Sequence, residues 1–129
     1  MFAYLTLCAC LISWQPQTSN PALLLDAVVS ALAEGDAEGA GLYFDSTVEL
    51  VLPGVEDILT RKAATQQLKN FFAANPTESF ARVHGGTSNG EAGAYVIGTL
   101  TTTTGRYRVY VYGKGAAQPI VQELRIESE

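Results

Sequence analysis

The sequence predicts one α+β domain in which helices near the start of the chain pack against a curved antiparallel sheet. Of the 129 residues, 47% are hydrophobic and 16% are charged, a composition typical of a globular domain with one core. Apolar residues recur at helical spacing in the first half of the chain, whereas the second half alternates with a period of two. Helices followed by a terminal run of strands indicate an α+β fold.

The predicted helices have recognisable first and last residues. Asn20-Pro21 predicts the start of a first helix, because asparagine caps helices and proline is favoured at the first helical position. Gly35 predicts its end, since glycine tolerates the left-handed conformation that follows a helix. Asp36 and Thr60 can each cap a further helix. These two helices are predicted over Ala37–Phe44 and Arg61–Ala74, the latter with an apolar stripe of Ala64, Leu68, Phe71 and Phe72.

The strands are predicted from alternating side chains and from turn residues. Thr47–Leu52 alternates, which places Val48, Leu50 and Leu52 on one face. Pro53-Gly54 predicts a turn, and a short strand is expected directly after it. The predicted strands after the first are Asp57–Leu59, Ser79–His84, Ala94–Thr102, Arg106–Tyr112 and Pro119–Glu127. The predicted order is therefore α-α-β-(β)-α-β-β-β-β, with no second domain.

The last three strands predict a sheet with two different faces. A two-residue turn at Thr104-Gly105 would place Leu100 opposite Val109 on a core face that the helices cover. The other face is mixed, because tyrosines alternate with charged residues. Tyrosine and arginine are enriched at interfaces, which favours a homodimer, although a half-solvated sheet face is the alternative. The predicted dimer face consists of Tyr95, Ile97, Arg108, Tyr110 and Tyr112, with Glu123 and Arg125 beside them.

The first 20 residues predict export. Met1–Asn20 carries no Lys, Arg, Asp or Glu, and its first fourteen residues are almost wholly apolar. This run is too short for a membrane span of about 20 residues and suits a secretory signal, although a basic start and a clean cleavage motif are missing. Leu7-Cys8-Ala9-Cys10 is similar to a bacterial lipobox, which makes Cys10 a candidate lipidation site. We expect a signal or lipoprotein signal with a linker over 1–20, a domain over 21–129, and a periplasmic, lipid-anchored or secreted protein. The alternative is an N-terminal helix or strand buried in the domain.

Charge and motifs exclude several function classes. The net charge is −5 and the eight basic residues are scattered, which disfavours nucleic acid as a partner. No phosphate-binding, nucleotide-binding, hydrolase or metalloprotease motif is present, so we expect no cofactor, no metal and no catalytic set. The ligand-binding candidates are His84, Tyr107 and Gln122. Imidazole titrates near neutral pH. His84 shares strand parity with Phe80 and Arg82, which predicts one face for all three, and Gln122 falls on the predicted core face. The alternatives are a structural histidine at a strand end and a glutamine bonded to neighbouring backbone.

Several long segments carry a family resemblance. They include S-A-L-A-E-G-D-A-E-G-A-G-L-Y-F-D-S-T-V-E-L, F-F-A-A-N-P-T-E-S-F, H-G-G-T-S, A-Y-V-I-G-T-L-T-T, G-R-Y-R-V-Y and I-V-Q-E-L-R-I-E. From Val29 to Glu127 the chain resembles a family of small exported proteins typical of the Bacteroidetes, a domain of unknown function with a nuclear transport factor 2-like (cystatin-like) fold. The resemblance implies a cone in which a bent sheet wraps a long helix. It also implies dimerisation through the outer sheet face and a pocket on the concave side, and it supplies no catalytic residues.

Two functional hypotheses follow. The first is a non-catalytic exported or envelope domain that binds a small ligand or an envelope protein through the concave pocket or the sheet face. The second is a small lyase or isomerase that uses His84, with Tyr107 or Gln122, in the concave pocket. The second requires these side chains to converge on one cavity, which makes the two hypotheses distinguishable by geometry.

Overall fold

The computed structural model describes residues 21–87, 93–115 and 120–129, which form helices and one six-stranded sheet. The predicted signal segment, with Cys8 and Cys10, lies outside the described residues. None of the helices in the described ranges has the length and apolar character that a membrane crossing requires. The helices are α1 Pro21–Ala33, α2 Ala37–Gly41 and α3 Arg61–Ala74. The strands are β1 Phe44–Leu52, β2 Val55–Thr60, β3 Thr77–Thr87, β4 Gly93–Thr102, β5 Gly105–Lys114 and β6 Val121–Ser128.

The sheet has the order β2-β1-β6-β5-β4-β3. Strands that are consecutive within the sheet pair antiparallel, as predicted, except that β1 and β6 pair in parallel. This parallel pairing was not predicted, and it joins the β1–β2 hairpin to the four-stranded meander of β3, β4, β5 and β6. The helices pack on one face of the sheet, so the predicted α+β architecture is confirmed.

The helix caps follow the sequence prediction closely. Gly35, two residues beyond the end of α1, has a φ of +67°. The Asp36 carboxylate accepts a hydrogen bond of 2.9 Å from Gly39 N, and the Thr60 hydroxyl accepts one of 3.3 Å from Ala63 N. Each side chain therefore satisfies one of the backbone donors that a helix start leaves unpaired. The predicted bounds of α3 are confirmed.

The second helix is shorter than predicted. It ends at Gly41, whereas the prediction continued it to Phe44. The carbonyl of Tyr43 instead accepts hydrogen bonds from Ile120 N at 2.9 Å and Val121 N at 2.7 Å, which draws the chain into the sheet beside β6. Phe44 begins β1 and is fully buried. Pairing with a strand distant in sequence thus overrides the local helical preference of this segment.

The β4–β5 hairpin has a different register from the predicted one. Thr102 pairs with Gly105, so the turn residues are Thr103 and Thr104, not Thr104-Gly105. The predicted turn would have required a positive φ at Thr104, which a β-branched residue strongly resists. The Thr102 hydroxyl stabilises the observed turn, since it accepts from Thr104 N at 3.2 Å and donates to the Gly105 carbonyl at 2.9 Å. The register moves by an even number of residues, so every side chain keeps its predicted face.

The core lies between the helices and the inner face of the sheet. The predicted stripe of α3 is buried, and Leu68 at its centre has no exposed surface. The core-face residues predicted for the last strands are also buried. They are Leu100, Val109, Val111, Ile120, Leu124 and Ile126, each fully buried.

Candidate functional site

The outer face of the sheet carries a cluster of tyrosines on its central strands. Tyr110 on β5 pairs with Ile97 on β4, and Tyr112 pairs with Tyr95. These four side chains are partly buried, while Arg108, next along β5, is exposed. We call the set Tyr95, Ile97, Arg108, Tyr110 and Tyr112 the tyrosine patch. Its members share one face because the strands alternate with a period of two, and the core takes the residues between them.

The rings of the tyrosine patch form a contiguous row with His84. Tyr95 and Tyr110 stack with their centroids 6.4 Å apart and an angle of 24° between the ring planes. The Tyr95 hydroxyl lies 2.8 Å from His84 Nε2, within hydrogen-bond distance, and the two ring centroids are 5.6 Å apart. The aromatic surface therefore extends from β5 across β4 to the edge strand β3.

A shallow groove of about 420 Å³ runs beside the tyrosine patch. Both signs of charge line this groove. Arg125 Nε lies 2.7 Å from Glu123 Oε1, and Glu127 on β6 lies opposite Arg108 on β5 in the strand pairing. Partial burial raises the pKa of the Tyr110 hydroxyl, and the negative charge of Glu123 raises it further. The groove is lined by Ile97, Arg108, Tyr110, Glu123, Arg125 and Glu127.

His84 lies on the outer face, not with Phe80 and Arg82 as the strand alternation predicted. Phe80 pairs with Leu100 and Arg82 with Gly98, both on the inner face, but His84 pairs with Ile97. The register shifts between Arg82 and His84, so Val83 is an extra residue in a β-bulge. A bulge inverts the alternation beyond it. The prediction that His84 shares the face of Phe80 and Arg82 is therefore wrong.

Tyr107 lies on the inner side of the sheet, at the end of α3. Its ring packs edge-on against Phe71 with the centroids 5.2 Å apart. Its hydroxyl donates to Asn75 Oδ1 at 3.2 Å and lies 3.2 Å from the Thr104 hydroxyl. These contacts attach the β4–β5 turn to the last turn of the helix, and they give Tyr107 a structural role.

Gln122 also lies where the strand pairing is irregular, at a register shift between β5 and β6. Tyr112 pairs with Glu123 and Gly113 with Val121, which leaves Gln122 as the unpaired residue of a register shift. Its amide Nε2 donates to Asp45 Oδ2 on β1 at 3.1 Å. The expected partner was neighbouring backbone, and the observed partner is a carboxylate on the strand that β6 meets in parallel. None of the five best-defined cavities on the described residues is lined by more than one of His84, Tyr107 and Gln122.

A separate cavity of about 290 Å³ opens between α1, β3 and β4, and its lining includes Gly86 and Tyr95 from the outer face of the sheet. Leu25 and Val96 also line it but are almost fully buried, and Arg82 of β3 contributes a charge. The Arg82 guanidinium forms an ion pair with Asp26 of α1. Sequence reasoning missed this pair because the two residues are 56 positions apart and neither belongs to a motif.

The described ranges contain no group of three or more His, Cys, Asp or Glu side chains that could hold a metal ion. The geometry instead provides two candidate surfaces, the tyrosine patch with its groove on the outer face and the cavity beside α1. One hydroxyl at these surfaces lies within hydrogen-bond distance of a base, that of Tyr95 beside His84 Nε2. Aromatic, apolar and charged groups suited to recognition are present at both surfaces.

Comparison with known proteins identifies the family. A family model described as a domain of unknown function (DUF4783) matches residues 25–127, and a comparison with curated proteins finds no match. A DUF4783 family protein from Bacteroides ovatus is 28% identical with a TM-score of 0.73, over 87% of this chain and 97% of that one. One from Bacteroides fragilis is also 28% identical with a TM-score of 0.71, over 80% and 96%.

A more distant structure extends the likeness in fold. A nuclear transport factor 2-like protein of unknown function from Cytophaga hutchinsonii has a TM-score of 0.63 at 6% identity, over 89% of this chain and 95% of that one. At this level of identity the likeness shows the fold alone. That fold agrees with the six-stranded sheet and with the helices packed on its inner face. The chain therefore belongs to the DUF4783 family, and it has the nuclear transport factor 2-like fold that the sequence resemblance implied.

Proposed function

We propose that this protein is a non-catalytic binding domain whose outer sheet face is an interaction surface, and that its first partner is a second copy of the same chain. The observation that carries the proposal is the tyrosine patch, which places aromatic rings beside both signs of charge on one continuous face. Interfaces are enriched in tyrosine and arginine, whereas a purely solvated sheet face needs neither.

The charges of this face are suited to self-association. A twofold dimer brings the same surface of both copies together, so an acidic residue on one copy needs a basic residue at the symmetry-related place on the other. Arg108 and Arg125 alternate with Glu123 and Glu127 around the groove, so a twofold rotation about its centre can place carboxylates opposite guanidiniums. A face with one sign of charge would repel its own copy.

The tyrosine rings are preorganised for such a contact. Tyr95 is held between the Tyr110 ring and His84, so its side chain already has a fixed neighbour on either side. A side chain that is ordered before binding loses less rotamer freedom when an interface forms, and this favours association. A stable dimer would bury about 800 Å² on each copy.

The dimer is tested by light scattering after size-exclusion chromatography, at micromolar concentrations of the full chain. We expect twice the mass of one chain, and a single-chain mass for Ile97→Glu, which places a carboxylate in the middle of the patch. Leu42→Glu is the matched control, because Leu42 is 71% exposed after α2, away from the sheet face, and should leave the mass unchanged. A wild-type protein that stays monomeric at tens of micromolar would contradict the proposal, and so would a dimeric Ile97→Glu.

We also propose that the domain acts outside the cytoplasm, in the periplasm, on a lipid anchor or after secretion. The support is the uncharged apolar run at the start of the chain, with Leu7-Cys8-Ala9-Cys10 inside it. Mass spectrometry of the natively expressed protein would give the mature N-terminus and any lipid on Cys10. An unprocessed Met1 with an unmodified Cys10 would refute this part.

The alternative of a small lyase or isomerase loses its structural support. It required His84 to act with Tyr107 or Gln122 in the concave pocket. His84 instead lies on the outer face beside Tyr95, and the other two side chains are engaged by Asn75 and Asp45. No observation on the described residues favours a reaction over binding.

A further inference from the structure

A third surface, a groove of about 400 Å³ between α2 and the first half of α3, gathers three of the eight basic residues of the chain. Arg61, Lys62 and Lys69 line this groove, and all three are exposed. On the sheet, by contrast, Arg82 and Arg106 each pair with a nearby carboxylate. Positive charge on this acidic protein is therefore concentrated on the helices, which pack on the side of the sheet away from the tyrosine patch.

The three cations of the groove are available to a partner. Lys62 forms no ion pair or hydrogen bond with any residue that the structure describes. Lys69 Nζ lies 3.2 Å from Glu38 Oε1, but the two side chains are 59% and 75% exposed, and a pair this exposed contributes little to stability. Arg61 Nε donates to the Phe44 carbonyl at 2.9 Å, which holds the guanidinium on the groove wall and leaves its terminal nitrogens without a partner in the described ranges.

Helix stability does not explain this concentration of charge. Arg61 and Lys62 occupy the first turn of α3, and no acidic residue accompanies them there. Basic side chains are unfavourable at the start of a helix, where the helix dipole is positive. Negative charge from a partner would offset this repulsion.

The floor of the groove is rigid, and its rim is apolar. Gly41 lies so close to α3 that a Cβ there would overlap the Thr65 hydroxyl and lie 3.0 Å from Thr65 Cγ2. That hydroxyl donates to the Arg61 carbonyl at 2.7 Å, which fixes the side chain. Leu42 follows Gly41 directly and is 71% exposed beside the charged groups. A partner that fits this groove carries both negative charge and an apolar group.

We propose that this groove binds an acidic segment of another protein, in which carboxylates flank an aliphatic side chain. The carboxylates pair with Arg61, Lys62 and Lys69, and the aliphatic side chain covers Leu42. The net charge of −5 disfavours an acidic partner over most of the surface, so a locally basic groove is where such a partner can bind. Leu42 favours a peptide over a nucleic acid or a sulfated polysaccharide, because neither of these polyanions carries an aliphatic side chain.

The test is fluorescence anisotropy of labelled peptides titrated with the full chain. The probes are the peptide Glu-Asp-Leu-Glu-Asp, the same peptide with serine in place of leucine, and Lys-Lys-Leu-Lys-Lys, all with blocked termini. We expect saturable binding of the acidic leucine peptide and no binding of the basic one. Raising the NaCl concentration from about 50 mM to about 300 mM should weaken the binding about fivefold, because salt screens exposed charges.

Three variants locate the site. Lys62→Glu should weaken binding of the acidic leucine peptide about tenfold, because it replaces an attraction with a repulsion. Arg106→Glu is the matched control, since it changes the net charge equally at an exposed position on β5, and it should leave the affinity within about twofold. Glu38→Gln should strengthen binding about threefold, because it releases Lys69 and removes a competing carboxylate.

A fourth variant, Leu42→Ser, separates a peptide site from a general anion site. The wild-type protein should bind the leucine peptide about threefold more tightly than the serine peptide, because part of an aliphatic side chain leaves water. Leu42→Ser should remove this preference. Circular dichroism shows that each variant keeps the fold, and light scattering should give each variant the mass of the wild type.

The proposal would be overturned if the acidic leucine peptide did not bind, or if Lys62→Glu and Arg106→Glu weakened its binding equally. A weaker affinity in Glu38→Gln would contradict the competition between Glu38 and the partner. Equal affinities of the wild type for the leucine and serine peptides would indicate a general polyanion site and refute the choice of partner. None of these results depends on whether the tyrosine patch forms a dimer.

Discussion

Replacing Gly98 with alanine should destabilise the domain, because Gly98 lies directly against the ring of Phe80. A Cβ at position 98 would lie 2.3 Å from Phe80 Cζ, 2.6 Å from Phe80 Cε1 and 2.7 Å from the Ala81 carbonyl oxygen. All three distances are far shorter than van der Waals contact. Phe80 is one of the partly buried residues packed on the core, so its ring has room to swing outward. The Ala81 carbonyl has no such freedom, since Ala81 pairs with Thr99 in the β3–β4 ladder.

The cost has two parts. Moving the Phe80 ring away from its rotamer costs about 1 kcal/mol. Displacing the Ala81 carbonyl strains the ladder by a comparable amount, so we expect Gly98→Ala to lower the free energy of unfolding by about 2 kcal/mol, within the range known for overpacked cores. Urea denaturation at 25 °C, followed by circular dichroism, measures this as a lower midpoint at an unchanged slope.

A double-mutant cycle with Phe80→Ala isolates the contribution of the ring. Without the ring, Gly98→Ala meets only the carbonyl, so its cost should fall to about 1 kcal/mol and the two substitutions should couple by about 1 kcal/mol. Strictly additive effects would show that the Phe80 ring is not the obstacle. A neutral Gly98→Ala would refute the packing argument altogether.

Two further predictions concern single side chains. Thr60→Ala should lower the free energy of unfolding by about 1 kcal/mol, because the α3 cap on Ala63 N is lost, and Thr60→Ser should restore most of it in the same urea assay. The raised pKa of Tyr110 means that the folded state holds this proton more tightly than the unfolded state. Its contribution to stability is therefore complete below about pH 10, the ordinary value for tyrosine, and is lost as pH rises through the folded pKa. Tyr110→Phe should lose less stability than wild type between pH 9 and pH 11 in urea titrations, and an equal loss would show that Tyr110 does not contribute.

The local elements could be predicted because their signals are local. The cap at Thr60 and the stripe through Leu68 determined α3 to the residue, since both act within a few positions of the chain. The two faces of the sheet also follow from the sequence alone. Side chains alternate between the faces with a period of two, so a register shift of two residues leaves each side chain on its predicted face. Leu100 is therefore buried and Tyr110 lies on the outer face, although their predicted cross-strand partners were two positions away.

The irregular positions could not be predicted in the same way. Val83 carries no mark that distinguishes a bulge residue from an ordinary strand residue, yet it moves His84 to the opposite face. Gln122 is displaced by a second irregularity, where β6 meets both β5 and β1. Both depend on partner strands that are distant in sequence. The outer-face placement of the tyrosine patch, which rests on regular strands, was thus predicted correctly, whereas the predicted face of His84, which depends on a bulge, was wrong.

The parallel pairing of β1 with β6 has a consequence for the order of folding. It connects residues such as Asp45 and Gln122, which are 77 positions apart, so the sheet cannot close until nearly the whole domain has been synthesised. Until then the chain can form a two-stranded ribbon next to α3 and a separate meander, each with an unpaired edge at the place that β6 will occupy. Long-range pairings of this kind slow folding and leave strand edges exposed in the meantime. A chain arrested before β6 should accordingly be prone to aggregation, because the strand edges that β6 covers stay open.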